Sequence, residues 1–153
     1  MKIVLVVILL LVAGGMLWVR LAPLPAGQWH ADPLTATRST PGGWIVRPEG
    51  GDATSPLMQA EPALVLAALD RVAQSTPRTS VLAGSVEEGR ITYVTRSRLM
   101  GFPDLTTITV LAGADGGALP VLLARQRFGY EDMGVNRARV EDWLAQLDAA
   151  MAE

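Results

Sequence analysis

The chain has 153 residues, a formal net charge of −2 and no cysteine. The missing thiols exclude a disulfide framework, an acylated lipoprotein-type cysteine, a thiolate metal site and a thiol nucleophile. Every basic residue except Lys2 is an arginine, as GC-rich bacterial coding would give, and the acidic excess supplies no net basic face for a nucleic-acid partner.

Residues Ile3 to Val19 form an uncharged apolar run between Lys2 and Arg20. As a helix it would span ~25 Å, a little under a hydrocarbon core of ~30 Å, with Trp18 placed as an interfacial anchor at the far end. A cleaved export signal begins in the same way, but the exit through Leu17-Trp18-Val19-Arg20 has no small-x-small site, so an uncleaved anchor over 1 to 20 is the expectation. The short leading tail with Lys2 places the N-terminus inside. The remainder then faces the periplasm from a bacterial inner membrane, as a single-pass protein.

Residues 21 to 43 carry Pro23, Pro25, Pro33 and Pro41 with Gly27, Gly42 and Gly43 and have neither a strand nor a helix period. They read as a semi-extended linker holding the only histidine, His30, outside the core. A single folded domain is expected over 44 to 153, since a chain this long buries roughly two-thirds of its unfolded surface, enough for one core.

Trp44-Ile45-Val46-Arg47 reads as a short strand. A helix follows, with Pro62 in its first turn and Leu66, Leu69, Val72 and Ala73 at helical spacing until Pro77 ends it. Stretches rich in Thr, Val and Ile at 78 to 83, 90 to 98, 104 to 111 and 119 to 127, separated by glycine turns, predict an antiparallel meander. A last helix starts near Val135, with Val140, Trp143, Leu144, Leu147 and Met151 as its apolar stripe. The order β-α-β-β-β-β-α gives an α+β two-layer sandwich, a sheet of about five strands with helices on one face. Nothing in the pattern covers the other face.

In such a meander the 90 to 98 and 119 to 127 strands end at the same edge, where Asp104 begins the strand between them. Period-2 alternation sets Arg96 with Arg98 and Arg125 with Arg127 on their respective faces. The expectation is a charged cluster of Arg96, Arg98, Asp104, Arg125, Arg127, Tyr130, Asp132, Asn136 and Arg137 around glycine corners at Gly101, Gly129 and Gly134. Two readings stand. Arg-carboxylate pairs could pin the 99 to 104 and 128 to 136 loops against the last helix, or an anion could sit among guanidiniums at that helix's N-terminus. Asn136 reads as a helix cap or turn residue.

The stretch Arg127-Phe128-Gly129-Tyr130-Glu131-Asp132-Met133-Gly134-Val135-Asn136-Arg137 resembles the closing signature of the DUF1499 family, and Phe102-Pro103-Asp104 resembles its Phe-x-Asp element. The resemblance covers most of the folded part. It implies a fold family, a bacterial or plastid origin and a membrane-anchored or exported protein, with no reaction attached. Members usually show Arg-Ser-x-Ser-Arg before the glycine; here Leu123-Ala124-Arg125-Gln126-Arg127 keeps only the last Arg in place, which leaves any role of those serines without a counterpart.

The residues supply no catalytic set beyond carboxylates, no cofactor motif and no metal spacing. Asp104 with Asp132 is the one candidate acid/base pair, and neighbouring arginines should hold both ionised, which suits neither role. Ser85 and Ser97 have no base within reach. Three functional expectations follow: an accessory or interaction module of the envelope with a membrane-protein partner, a binding domain for an anionic or amphipathic small molecule, and a hydrolase working through the two aspartates.

Overall fold

The computed structural model describes residues 1–37 and 40–152 and, for Asp115, the backbone alone. The described residues form four α-helices and five strands, α1 (Lys2–Leu21), α2 (Ala26–Trp29), β1 (Trp44–Val46), α3 (Pro62–Ser75), β2 (Thr79–Ser85), β3 (Arg90–Arg96), β4 (Pro103–Ala112), β5 (Ala118–Gln126) and α4 (Val135–Met151), with one 3-10 turn at Ala114–Gly116 between β4 and β5. From β1 onward the order is β-α-β-β-β-β-α, as expected. The strands form one open antiparallel sheet in the order β1-β5-β4-β3-β2.

α3 and α4 cover one face. Leucines and valines at three and four residue spacing give α3 one buried side, Val65, Leu66, Leu69, Val72 and Ala73. Pro62 opens it at a position where a missing N–H costs nothing. On α4 the residues Val140, Trp143 and Leu147 are fully buried. They meet Val46, Ile91, Tyr93, Ile108, Leu122 and Ala124, the sheet residues of matching parity. Trp143 stands edge-on to Tyr93 at 5.6 Å and donates its indole N–H to Thr76 at 2.8 Å, so its one polar atom is satisfied. The Tyr93 hydroxyl donates to Asp70 at 2.6 Å; burial, the Asp70 hydrogen bond and its charge all raise the phenol pKa.

The second face differs from expectation: it is covered by the segment read as a linker. α1 ends at Leu21, and by Trp29 the chain is bonded to the sheet. The Trp29 carbonyl accepts from Arg125 at 2.6 Å and from the Thr107 hydroxyl at 3.4 Å. His30 Nδ1 meets the Thr92 hydroxyl at 2.8 Å, and its Nε2 accepts from Arg90 Nε at 3.1 Å. The physical reason is on the sheet, where Leu105, Thr107, Val121 and Leu123 are fully buried on that face. Apolar area of that kind, with embedded hydroxyls and a guanidinium, favours a cover that brings its own carbonyls. Arg47 holds the following stretch by donating to the carbonyls of Leu34 at 2.7 Å and Ala36 at 3.3 Å.

α1 is long and apolar enough to cross a membrane, and nearly all of it is exposed. Its last turn meets the domain at the sheet edge where β3 and β5 end.

Candidate functional site

Two strand boundaries decide the site. β3 stops at Arg96 and β5 at Gln126, so Arg98 and Arg127 fall in loops, where strand alternation no longer places them. Within the strands, Thr95, Asp104 and Gln126 are cross-strand neighbours and take the parity of the helix-covered face. Arg96 and Arg125 take the opposite parity. The predicted cluster is thereby divided between two faces rather than gathered in one.

On the helix face, Asp104 pairs with Arg139 at 2.8 Å, with side chains only 13% and 9% exposed respectively. Arg139 also donates to Asn136 Oδ1 at 2.7 Å, and the Asn136 amide donates to the Gly42 carbonyl at 2.9 Å. Asp132 closes the group by accepting the backbone N–H groups of Gly134 at 3.0 Å and Asn136 at 2.6 Å. Asp132, two residues before the Gly134 N-cap, is therefore what answers the first turn of α4, whereas Asn136, expected as cap or turn residue, lies fully buried within that turn as a bridge. Gly129 and Gly134 have φ of +94° and +81°, so the corners that deliver Asp132 need glycine.

Asp104 departs from the sequence expectation. Burial raises its pKa, the Arg139 hydrogen bond and charge lower it, Asp132 raises it again, and the net direction is upward. The reason is that one guanidinium serves it, not several, in a place largely removed from water. Gln126 is buried beside it, with neither amide atom hydrogen-bonded among the described residues. Gly42 and Gly129 lie against that amide. A cleft of about 280 Å³ opens over this group, lined by Asp104, Gln126, Asp132, Phe102, Phe128 and Val135.

The remaining candidates lie elsewhere. Arg125 packs under Trp29, 5.2 Å from its ring, and desolvation lowers its pKa. Arg127 covers the Phe128 ring at 5.1 Å and donates to the Pro23 carbonyl. Arg137 covers Trp44 at 4.8 Å and pairs with Glu141 at 2.7 Å on the exposed side of α4. The Tyr130 side chain is exposed; its carbonyl accepts from the Gly42 N–H at 3.3 Å.

Arg96 and Arg98 enter a second arrangement with Arg20 and Arg78, two arginines outside the predicted cluster. The four line a groove of about 460 Å³ together with Thr79, Ser80, Ser97 and Gly101. Arg20 donates to the Leu99 carbonyl at 3.1 Å, Arg96 to Gly101 at 3.1 Å and Arg78 to Arg96 at 3.0 Å. A Cβ on Gly101, which has φ of +72°, would lie 2.7 Å from Arg20 Cγ, so glycine is what lets the Arg20 side chain cross that loop. No Asp or Glu lines the groove, and none of the four forms an ion pair among the described residues.

The fold and these two arrangements define an α+β domain with a helix-backed antiparallel sheet, preceded by one helix of membrane-spanning length and bonded to that helix's last turn. The chain belongs to the family described as "Protein of unknown function (DUF1499)", whose match covers residues 34–147, including the Asp104, Asp132, Asn136 and Arg139 network. No curated protein matches it.

Proposed function

We propose that this protein is a single-pass, membrane-anchored module with its domain on the periplasmic side, acting at the bilayer surface as an accessory or interaction element of the envelope. One observation carries the reading: the end of α1 is bonded to both loops at the β3/β5 edge. Arg20 holds Leu99, Trp18 lies 5.3 Å from Phe128, and Arg127 holds Pro23. With α1 in a membrane, a domain fixed in this way sits against the surface instead of swinging on a tether. The same loops expose Leu99, Met100, Phe102, Tyr130 and Met133, apolar and aromatic side chains suited to an interfacial zone. Asp104 and Asp132 are engaged by Arg139 and by the first turn of α4, which argues against the hydrolytic reading.

The native sequence has no cysteine, so single cysteines at Phe102, Met133 and Glu87 can each carry an environment-sensitive dye in the full-length protein reconstituted into vesicles. The expected result is blue-shifted emission and quenching by nitroxide lipids at positions 102 and 133 and neither at 87, on the far hairpin. Identical, water-like spectra at all three would overturn the surface-apposed reading.

A further inference from the structure

We infer that the groove formed by Arg20, Arg78, Arg96 and Arg98 is a binding site for the phosphate headgroup of an anionic membrane lipid. The inference rests on the membrane-apposed reading above, and it names the ligand chemistry at that end of the domain.

Four guanidiniums converge on one groove with no carboxylate lining it. Like charges so arranged repel one another, and a guanidinium has five N–H donors in a planar fork that matches phosphate oxygens. Each of Arg20, Arg78 and Arg96 donates one guanidinium N–H to a backbone carbonyl, which holds the head group in place, and no second side-chain hydrogen bond from any of the three is made among the described residues. Arg98 is exposed and makes no hydrogen bond among the described residues. The backbone is committed to this arrangement at two points. Arg78 is one of two non-glycine residues with positive φ among the described residues, at +62°, and Gly101 has the left-handed conformation that admits the Arg20 side chain. A left-handed arginine is unfavourable unless its surroundings hold it; here Arg78 and Arg96 exchange hydrogen bonds, Arg96 N–H to the Arg78 carbonyl and Arg78 Nε to the Arg96 carbonyl, both 3.0 Å.

Position selects a lipid over a soluble anion. Arg20 is the first charged residue after the apolar run, which places it at headgroup depth when α1 spans the bilayer. Leu99 and Met100, exposed on the loop that Arg20 holds, supply apolar surface beside the charge. A phosphodiester with acyl chains satisfies both, whereas free phosphate satisfies only the guanidiniums.

Full-length protein in a neutral detergent is titrated with short-chain phosphatidylglycerol, short-chain phosphatidylcholine and inorganic phosphate, and bound molecules are counted by native mass spectrometry. The inference requires phosphatidylglycerol to bind at least about tenfold more tightly than the other two, because the choline cation is repelled by the four guanidiniums and inorganic phosphate has no acyl chains for the apolar surface beside them. Arg98→Gln, whose side chain holds no part of the fold together, should weaken that binding several-fold, and Arg78→Gln with Arg98→Gln should weaken it further. Arg137→Gln removes the same charge outside the groove and should change nothing. Equal binding of the two lipids, or equal losses from Arg98→Gln and Arg137→Gln, would overturn the site; phosphate binding as tightly as the lipid would overturn the lipid assignment. The dye experiment reads position and not affinity, so the failure of either result is distinguishable from failure of the other.

Discussion

Arg139→Met is the most informative single substitution, because it removes the charge that answers Asp104 and keeps much of the side-chain stem. Both side chains of that pair are largely buried. Taking away one partner of such a pair costs about 3–5 kcal/mol, since the remaining charge is left uncompensated. The substitution also removes the donor to the Asn136 Oδ1, on a fully buried residue, adding about 1–3 kcal/mol for an unsatisfied acceptor. Against a domain stability of about 5–15 kcal/mol, that loss should lower the thermal midpoint by on the order of 10 °C or more.

The pH dependence supplies the sharper check. In the native chain the Asp104 pKa is already raised, so its contribution is fully favourable below the unfolded value and is lost as pH rises through the folded one. Removing Arg139 deletes both contributions that lower it and moves the folded pKa further up. The variant's deficit should therefore shrink as pH falls and the orphaned carboxyl takes up a proton, beginning at a higher pH than in the native chain. Adding Asp104→Asn should restore part of the stability, because it removes the isolated charge. Urea unfolding of the full-length protein in detergent, followed by tryptophan fluorescence, measures all three. A deficit that is independent of pH and unrelieved by Asp104→Asn would refute a buried charge pair as the source.

Gly42→Ala should destabilise by about 1–3 kcal/mol, since its Cβ would lie 2.9 Å from the Asp132 backbone N and closer still to the Gln126 amide, and the loss is read in the same urea titration. His30 has its pKa lowered by burial and then by the Arg90 charge. Its neutral form is favoured in the fold, so its contribution is complete above the unfolded value of 6.5 and is lost as pH falls through the lowered folded value. Because protonation removes the acceptor for Arg90 Nε, acidification below the ordinary imidazole value should loosen the 22–37 segment from the sheet, seen as faster proteolytic cleavage there, and His30→Gln should flatten that response.

The sheet, its strand order along the chain and both long helices were legible, because hydrophobic spacing and glycine turns fix them locally. The convergence of the β3 and β5 ends at Asp104 also followed from the meander. What alternation could not supply was the strand ends: two residues of overestimated β3 carried Arg98 out of register, and one residue of β5 did the same to Arg127. Arg139 was missed as the partner of Asp104 although a signal existed. Asn136 and Arg139 stand four residues before Val140 and Trp143, so they continue the buried stripe of α4 with polar side chains, and buried polar groups at a stripe's end call for partners on the sheet. Trp29 and His30 look like part of a tether in the sequence because Pro and Gly dominate their surroundings. Their docking rests on the Trp29 carbonyl meeting Arg125 and Thr107 and on the His30 ring meeting Thr92 and Arg90, and a backbone acceptor leaves no trace in residue type.

The distribution of charge along the sheet gives the fold a direction. The edge beside α1 carries Arg20, Arg78, Arg96 and Arg98, while the β2–β3 hairpin at the opposite end exposes Glu87 and Glu88. Seven residues of β3 separate the two ends by ~20 Å, about two Debye lengths at moderate ionic strength, so each end meets its surroundings independently. An anionic surface would attract the near end and repel the far one, and both effects would favour the proposed membrane-apposed pose. The overall charge of −2 conceals this, because a net count has no axis. A chain that is acidic in total can still turn a basic, aromatic-flanked edge toward a membrane, and the short path from Leu21 to Trp29 leaves it little freedom to turn anything else.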